Sequence, residues 1–191
     1  MLRVMLVDEF SERSAPLRDF LQEAGYEVVA QLSSTADLNP AVAQLQPDVI
    51  IIDTESPSRD TLEHICVVSR DDPRAIVMFT HDGETEKIRA ATRAGVSAYV
   101  VGGLESARLR PILDAAMVRF EEYQALRNEL ASTSTRLAER KAIERAKGIL
   151  MKQRGLDEEA AFQALRKMAM ERGRKLGEIA QQVIDAAALL S

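Results

Sequence analysis

The stretch PDVIIIDTESPSRD, residues 47–60, decides the fold. Four large apolar residues, Val49 to Ile52, run together and stop at Asp53. A strand with one wet face would alternate apolar with polar residues. An unbroken apolar run needs cover on both faces, as in a parallel sheet between two layers of helices. A helix-like segment follows at 59–70.

Working outward, similar runs occur at Leu2–Val7, Val28–Leu32, Ile76–Phe79 and Ala98–Val101. Helix-like segments separate them around 14–24, 36–45 and 84–94, with another from 106 onward. Five such units predict a doubly wound α/β domain with a five-stranded parallel sheet. In these sheets the chemistry lies beyond the carboxyl ends of the strands. Asp8 and Glu9 follow the first run, Asp53 ends the third and Thr80 follows the fourth, while Tyr99 lies within the fifth. Three carboxylates at one sheet edge repel one another unless a cation joins them. Hard oxygen ligands of this kind suit Mg²⁺ that keeps waters and a phosphate oxygen. A carboxylate beside such an ion can accept a phosphoryl group.

On these residues, positions 1–115 resemble the receiver domain of bacterial response regulators. The resemblance implies that Asp8 and Glu9 are the acidic metal pair. It implies that Asp53 is the phosphoacceptor, with Pro57 four residues on, in a pocket that takes Mg²⁺. Thr80 matches the switch hydroxyl and Tyr99 the switch aromatic. Gly102 and Gly103 stand where the family has a Lys, usually followed by Pro. That Lys pairs with the phosphoryl group and couples it to the switch. Two readings of Asp53 follow: a working acceptor in a two-component phosphorelay, or a remnant in a pseudo-receiver.

From Ile112 to Lys147 there is no Gly or Pro, and a continuous helix of that length would reach about 54 Å. Tyr123, Leu126, Leu130 and Leu137 fall at a/d spacing, with Thr133 and Arg140 filling the other seam positions. The pattern predicts a short parallel coiled coil over 116–139 and a homodimer. The other reading packs this helix back on its own N-terminal domain.

Charge divides the chain. Residues 1–120 hold 12 Lys+Arg against 19 Asp+Glu, whereas 136–175 hold 12 against 6. An acidic first part and a basic patch near the end point to two jobs, the second with an anionic partner. Gly155 and Gly173 punctuate residues 140–191 into helices near 140–153, 157–171 and 175–189. Asp157, Glu158 and Glu159 open the second, where the helix dipole favours anions. The stripes Ala161, Leu165, Met168, Ala169 and Leu176, Ile179, Ala180, Val183, Ile184, Ala187 predict a small three-helix core. On the first helix Lys141, Arg145, Gly148 and Lys152 share a face, with the glycine leaving room for a close approach. Lys147 falls instead among Ile143, Ala146, Leu150 and Met151, where it snorkels or sits at the rim of a binding surface. Arg166, Lys167, Arg174 and Lys175 add charge. Contacts of this kind to phosphate bind strongly and depend on salt.

This segment resembles the ANTAR domain, an RNA-binding antitermination module. The matching residues are Ala146 to Met151, Gly155, Ala160, Phe162, Leu165, Arg166, Ala169, Met170, Leu176, Ile179 and Ala180. With a receiver in front, the chain resembles the NasT/AmiR-type group of transcription antiterminators. The stretches SAYVVGGL and ESPSRD are most like its NasT branch. The resemblance implies a dimer that binds two leader-mRNA hairpins through their hexanucleotide loops and lets transcription continue. It also implies nitrate/nitrite assimilation as the regulated process. The implied partner is a NasS-like nitrate/nitrite sensor protein that sequesters the regulator, a control that needs no phosphoryl switch. An alternative is a DNA-binding response regulator with the second and third helices as a helix-turn-helix. Against it, the third helix has Glu178 and Asp185 and no Lys or Arg after Lys175. An Asp-dependent phosphatase is disfavoured because Glu55 stands where its motif wants a second Asp, so no enzyme is expected.

One cysteine, Cys66, excludes an internal disulfide and a cysteine metal cage, and its apolar surroundings predict burial. His64 and His81 lack partners at ligand spacing. The N-terminus lacks a secretory signal and no apolar run reaches about 18 residues, so a cytoplasmic protein away from membranes is expected.

Overall fold

A computed structural model describes residues 1–9, 11–34, 36–102 and 106–189. Gly103, named above beside Gly102, lies outside the described residues. The chain divides into two compact units, Met1–Gln124 and Ala125–Ser191.

In the first unit, β1 (Arg3–Asp8), β2 (Glu27–Ser33), β3 (Val49–Asp53), β4 (Ala75–Thr80) and β5 (Ala98–Val101) form one sheet in the order β2-β1-β3-β4-β5. Every pairing is parallel. Helices α1 (Ser11–Glu23), α2 (Leu38–Leu45), α3 (Arg59–Asp71) and α4 (Thr85–Ala94) connect successive strands. This is the doubly wound receiver architecture expected from the apolar runs.

The period-two alternation of a strand divides the β3 run between the two faces. Val49 and Ile51 join a core with Val4, Leu6, Leu21, Phe79, Leu109 and Leu113. Ile50 and Ile52 join the opposite core with Met5, Val7, Leu38, Val42, Ile65 and Val68. Val49, Ile50, Ile51 and Ile52 are all fully buried, which is why the run shows no polar residue.

On α3 the buried residues are Thr61, Ile65 and Val68. Cys66 sits beyond that stripe and is exposed, which corrects the expectation of burial. The phase of the helix, not the apolar letters around the cysteine, sets its environment. Ser58 caps α3, its hydroxyl accepting from the Thr61 amide at 3.1 Å.

Helix α5 (Ser106–Arg154) takes in both the expected linker helix and the first expected helix of the basic module. In the second unit its final turns pack with α6 (Glu158–Arg172) and α7 (Leu176–Leu189). Ala146, Leu150, Ala161, Leu165, Ala169, Ile179, Ala180 and Ile184 make the buried core. Asp157 caps α6, accepting from the Ala160 amide at 2.7 Å. A Cβ on Gly177 would lie 2.9 Å from Glu139 Cγ, so a larger residue there would have to displace the Glu139 side chain of α5. No described helix is long and apolar enough to cross a membrane.

Candidate functional site

Two groups of residues meet the chemical expectations, one in each unit. The first is the carboxyl edge of the sheet. Asp8 and Asp53 are register partners at the ends of adjacent parallel strands. Asp8 is buried and Asp53 half-buried. The Glu9 carboxylate accepts from the Thr54 hydroxyl at 2.8 Å and the Glu55 amide at 3.2 Å. Among the described residues, no three His, Cys, Asp or Glu side chains converge closely enough to hold a metal ion. Asp8, Glu9 and Asp53, expected as one acidic pocket, thus stand at the ends of β1 and β3, with the Glu9 carboxylate bonded to the start of the β3–α3 loop.

The two switch residues are also engaged. The Thr80 hydroxyl donates to the Glu55 carbonyl at 2.7 Å and accepts from the Asp82 amide at 3.2 Å. The Tyr99 hydroxyl donates to the Asp82 carbonyl at 2.8 Å. Burial, then the nearby Asp82 charge, pushes the Tyr99 phenol above its ordinary pKa. The Ser56 hydroxyl donates to the Asp82 carboxylate at 2.6 Å. That bond, helped by the Glu84 amide, holds the Asp82 carboxyl below its ordinary pKa. The β3–α3 and β4–α4 loops are therefore fastened to each other through Glu55, Ser56, Thr80 and Asp82. Sequence reasoning missed Ser56 and Asp82. Their only signal was two polar residues in loops beyond neighbouring strands.

Gly102 follows β5 with φ +106 and donates its amide to the Thr80 carbonyl at 3.0 Å. A side chain there would meet open space, yet its backbone conformation is one that L-residues rarely adopt. The lysine of the receiver pattern is thus missing from a backbone shaped for glycine.

The second group is the basic face of the second unit. Lys141, Arg145, Gly148 and Lys152 are all exposed on α5, opposite the buried Ala146 and Leu150. A Cβ on Gly148 would have no neighbour within 4 Å. Among the described residues, the side chains of Lys141, Arg145, Lys152, Arg166, Arg174 and Lys175 make no hydrogen bond or ion pair. Lys167 lies 3.9 Å from Glu171, a loose exposed pair. Arg166 and Lys167 lie on the outer side of α6, and Arg174 and Lys175 in the α6–α7 connection, all exposed. The stripe and the α6 cations thus occupy the outer sides of two different helices.

Lys147 behaves differently. It is only 8% exposed. Its Nζ lies 2.7 Å from Glu158 and 2.9 Å from Glu144. Glu158, then Glu144, raises the Lys147 pKa, and Lys147 in turn lowers that of Glu158. Lys147, expected to snorkel or to sit at the rim of a binding surface, thus has its charge paired, and the pairing fastens α5 to the start of α6. Glu144, three residues before it, was a readable partner; Glu158, across the Gly155 turn, was not.

A parallel sheet with paired acids at its carboxyl edge, joined to a separate helical effector, defines a response regulator. The family model for the response regulator receiver domain matches residues 4–114, and that for the ANTAR domain matches residues 131–184. The chain belongs to the response regulators that pair a receiver domain with an ANTAR domain. It is 30% identical over 183 residues to transcriptional regulatory protein PdtaR of Mycobacterium tuberculosis, covering 96% of this chain and 89% of that one. It is 42% identical over 80 residues to the nitrate regulatory protein of Klebsiella oxytoca, covering 42% of this chain and 20% of that one. Among solved structures, a LuxR-family DNA-binding response regulator from Staphylococcus aureus superposes with a TM-score of 0.55 at 16% identity. That match covers 61% of this chain and 99% of the other, and it speaks to fold alone.

Proposed function

We propose that the chain is a transcription antitermination regulator whose ANTAR module binds leader-RNA hairpins. One observation supports this above the rest. Among the described residues, Lys141, Arg145 and Lys152 of α5 and Arg166 of α6 face solvent with no hydrogen bond or ion pair, and the exposed Gly148 lies within the α5 stripe. Unpaired cations on a rigid helix suit a polyanion, and such contacts position a backbone without reading sequence. Lys141, Arg145 and Lys152 are the proposed phosphate contacts, Gly148 the point of close approach, and Arg166, Lys167, Arg174 and Lys175 flanking contacts. Lys147 holds the geometry from inside.

The exposed stripe Leu126, Leu130 and Leu137 on α5 is the proposed seam of a parallel homodimer. The process under control is proposed to be nitrate/nitrite assimilation, with a NasS-like sensor that sequesters the regulator. The likeness to the Klebsiella oxytoca nitrate regulatory protein supports this reading. In the receiver, Asp53 is the proposed acceptor, and Asp8, Glu9 and Asp53 are the residues that would hold Mg²⁺, which binds through carboxylates and keeps several waters. Bound there, the ion would neutralise phosphoryl charge. Glycine at position 102 and the engaged Thr80 and Tyr99 favour control by sequestration over control by phosphorylation.

A gel shift with the full chain separates RNA from DNA binding. A synthetic RNA stem-loop with a hexanucleotide loop should be retained and displaced by salt, while duplex DNA of equal length should compete weakly. Preferential retention of the duplex would overturn the RNA reading in favour of a DNA-binding regulator.

A further inference from the structure

A small cavity lies in the first unit at the end of the sheet opposite Asp53. Two of its lining residues, Pro73 and Ser97, stand just before β4 and β5, which places it at the amino edge. The ends of α3 and α4 form one side, and the stretch of α5 from Arg119 to Gln124 forms the other. Its volume is about 160 Å³. Gly95, the left-handed cap of α4, has φ +111, and a Cβ there would collide with the Ser69 hydroxyl of α3. Glycine at this turn brings the end of α4 onto α3 and closes that side of the cavity.

Its lining is unlike the rest of the unit. Residues 1–120 carry 12 Lys+Arg against 19 Asp+Glu. Yet no Asp or Glu lines this cavity, and two arginines do, Arg93 and Arg119. Among the described residues neither guanidinium makes a hydrogen bond or ion pair. Arg93 stands in the last turn of α4, where a cation suits the helix dipole. Arg119 lies well inside α5, where no helix end accounts for it. Two like charges at one small cavity repel, and an anion between them removes the repulsion. The apolar part of the lining is largely aromatic. Phe120 is half-buried, and Tyr123 is 61% exposed with its ring at the cavity.

We propose that this cavity binds a small carboxylate that carries a single aromatic ring. The guanidinium forks of Arg93 and Arg119 match the carboxylate, which they take in bidentate fashion. Phe120 and Tyr123 match the ring, since aromatic groups favour offset or edge-on aromatic neighbours. Size sets the limit at one ring. A cavity of roughly 150 Å³ takes benzene, whereas drug-sized ligands need about 300 Å³ or more. A ligand held by Arg93 and Arg119 at once bridges α4 and α5. It thereby fastens the stretch of α5 just before the unit ends at Gln124. Because it binds the folded unit, it raises that unit's melting temperature.

Titration calorimetry and thermal melts of the full chain test this, with benzoate as the probe. Benzoate should bind and should raise the melting temperature of the first unit as its concentration rises. Acetate keeps only the charge and benzyl alcohol only the ring, so each should bind about tenfold or more weaker than benzoate. Arg119→Gln and Arg93→Gln should each weaken benzoate about tenfold or more, with the fold intact by circular dichroism. Arg89→Gln, on α4 but outside the cavity and paired with Glu86, should leave benzoate affinity unchanged. No benzoate binding up to about 10 mM would overturn the proposal. So would wild-type benzoate affinity in the Arg93→Gln and Arg119→Gln variants. Benzyl alcohol or acetate binding as tightly as benzoate would overturn it as well, since the site would then not require both the charge and the ring.

Discussion

The two units treat their polar groups in opposite ways. At the receiver's sheet edge the reactive-looking groups are spent inward. Glu9 is held by Thr54, Thr80 by Glu55 and Asp82, Tyr99 by Asp82, and Asp82 by Ser56. In the C-terminal module the inward polar link is Lys147 with its two glutamates, and the other cations of the basic face point outward. A group satisfied within its own fold gains little from a ligand, whereas an unpaired surface charge can exchange counterions for phosphate at little internal cost. Under the proposed function, this contrast is what favours RNA binding by the second unit and control of the first by a protein partner.

The largest disruption should come from the small core. Leu165→Ala removes a fully buried side chain and should cost about 2–5 kcal/mol, enough to melt most of the module. Calorimetry should show the transition of the second unit lowered or lost while that of the first persists. A single shared shift would show that the two units unfold as one. Next, Gly102→Lys tests whether the missing lysine can simply be restored. The positive φ there should cost on the order of 1–3 kcal/mol. The variant should melt lower and gain no phosphorylation-dependent change in RNA affinity with acetyl phosphate; a gained response would show that one residue separates this receiver from a working switch.

Smaller is Tyr99→Phe, which removes the bond to the Asp82 carbonyl. It should cost about 0.5–1.5 kcal/mol and leave stem-loop affinity unchanged. A change in affinity would mean that the receiver edge reaches the effector. The smallest effect is in pH. Glu158 has a lowered pKa in the fold, so its contribution is present above its ordinary pKa and is lost as pH falls through the lowered one. Lys147 has a raised pKa, so its share is present below its ordinary value and is lost as pH rises through the raised one. Melts of Glu158→Gln should lack the acid-side loss that wild type shows between those two carboxyl pKa values. Identical acid limbs would deny the pair a stabilising role.

Much of the receiver could be read directly, because a strand buried on both faces writes its environment into an unbroken run such as Val49–Ile52. The acids at strand ends followed from the same logic. What escaped was conformation. Nothing in the letters at Glu9 told that its carboxylate turns to Thr54 and Glu55, since that depends on a loop contact 45 residues away. Cys66 went wrong because helix phase, not local composition, decides exposure. In the second unit the odd helical phase of Lys147 was visible, but its second carboxylate partner arrives from the next helix through a turn. The free stripe Lys141, Arg145, Gly148 and Lys152 was the easiest feature to read, because exposure on a long helix needs only periodicity.

The most direct test of the account is the affinity of the full-length protein for an RNA stem-loop, measured at fixed salt with and without Lys141→Ala, Arg145→Ala and Lys152→Ala together. Loss of these contacts should weaken binding on the order of a hundredfold and flatten its salt dependence, with the helical content unchanged. Wild-type affinity in the triple variant would contradict the assignment of the α5 face as the RNA-binding surface.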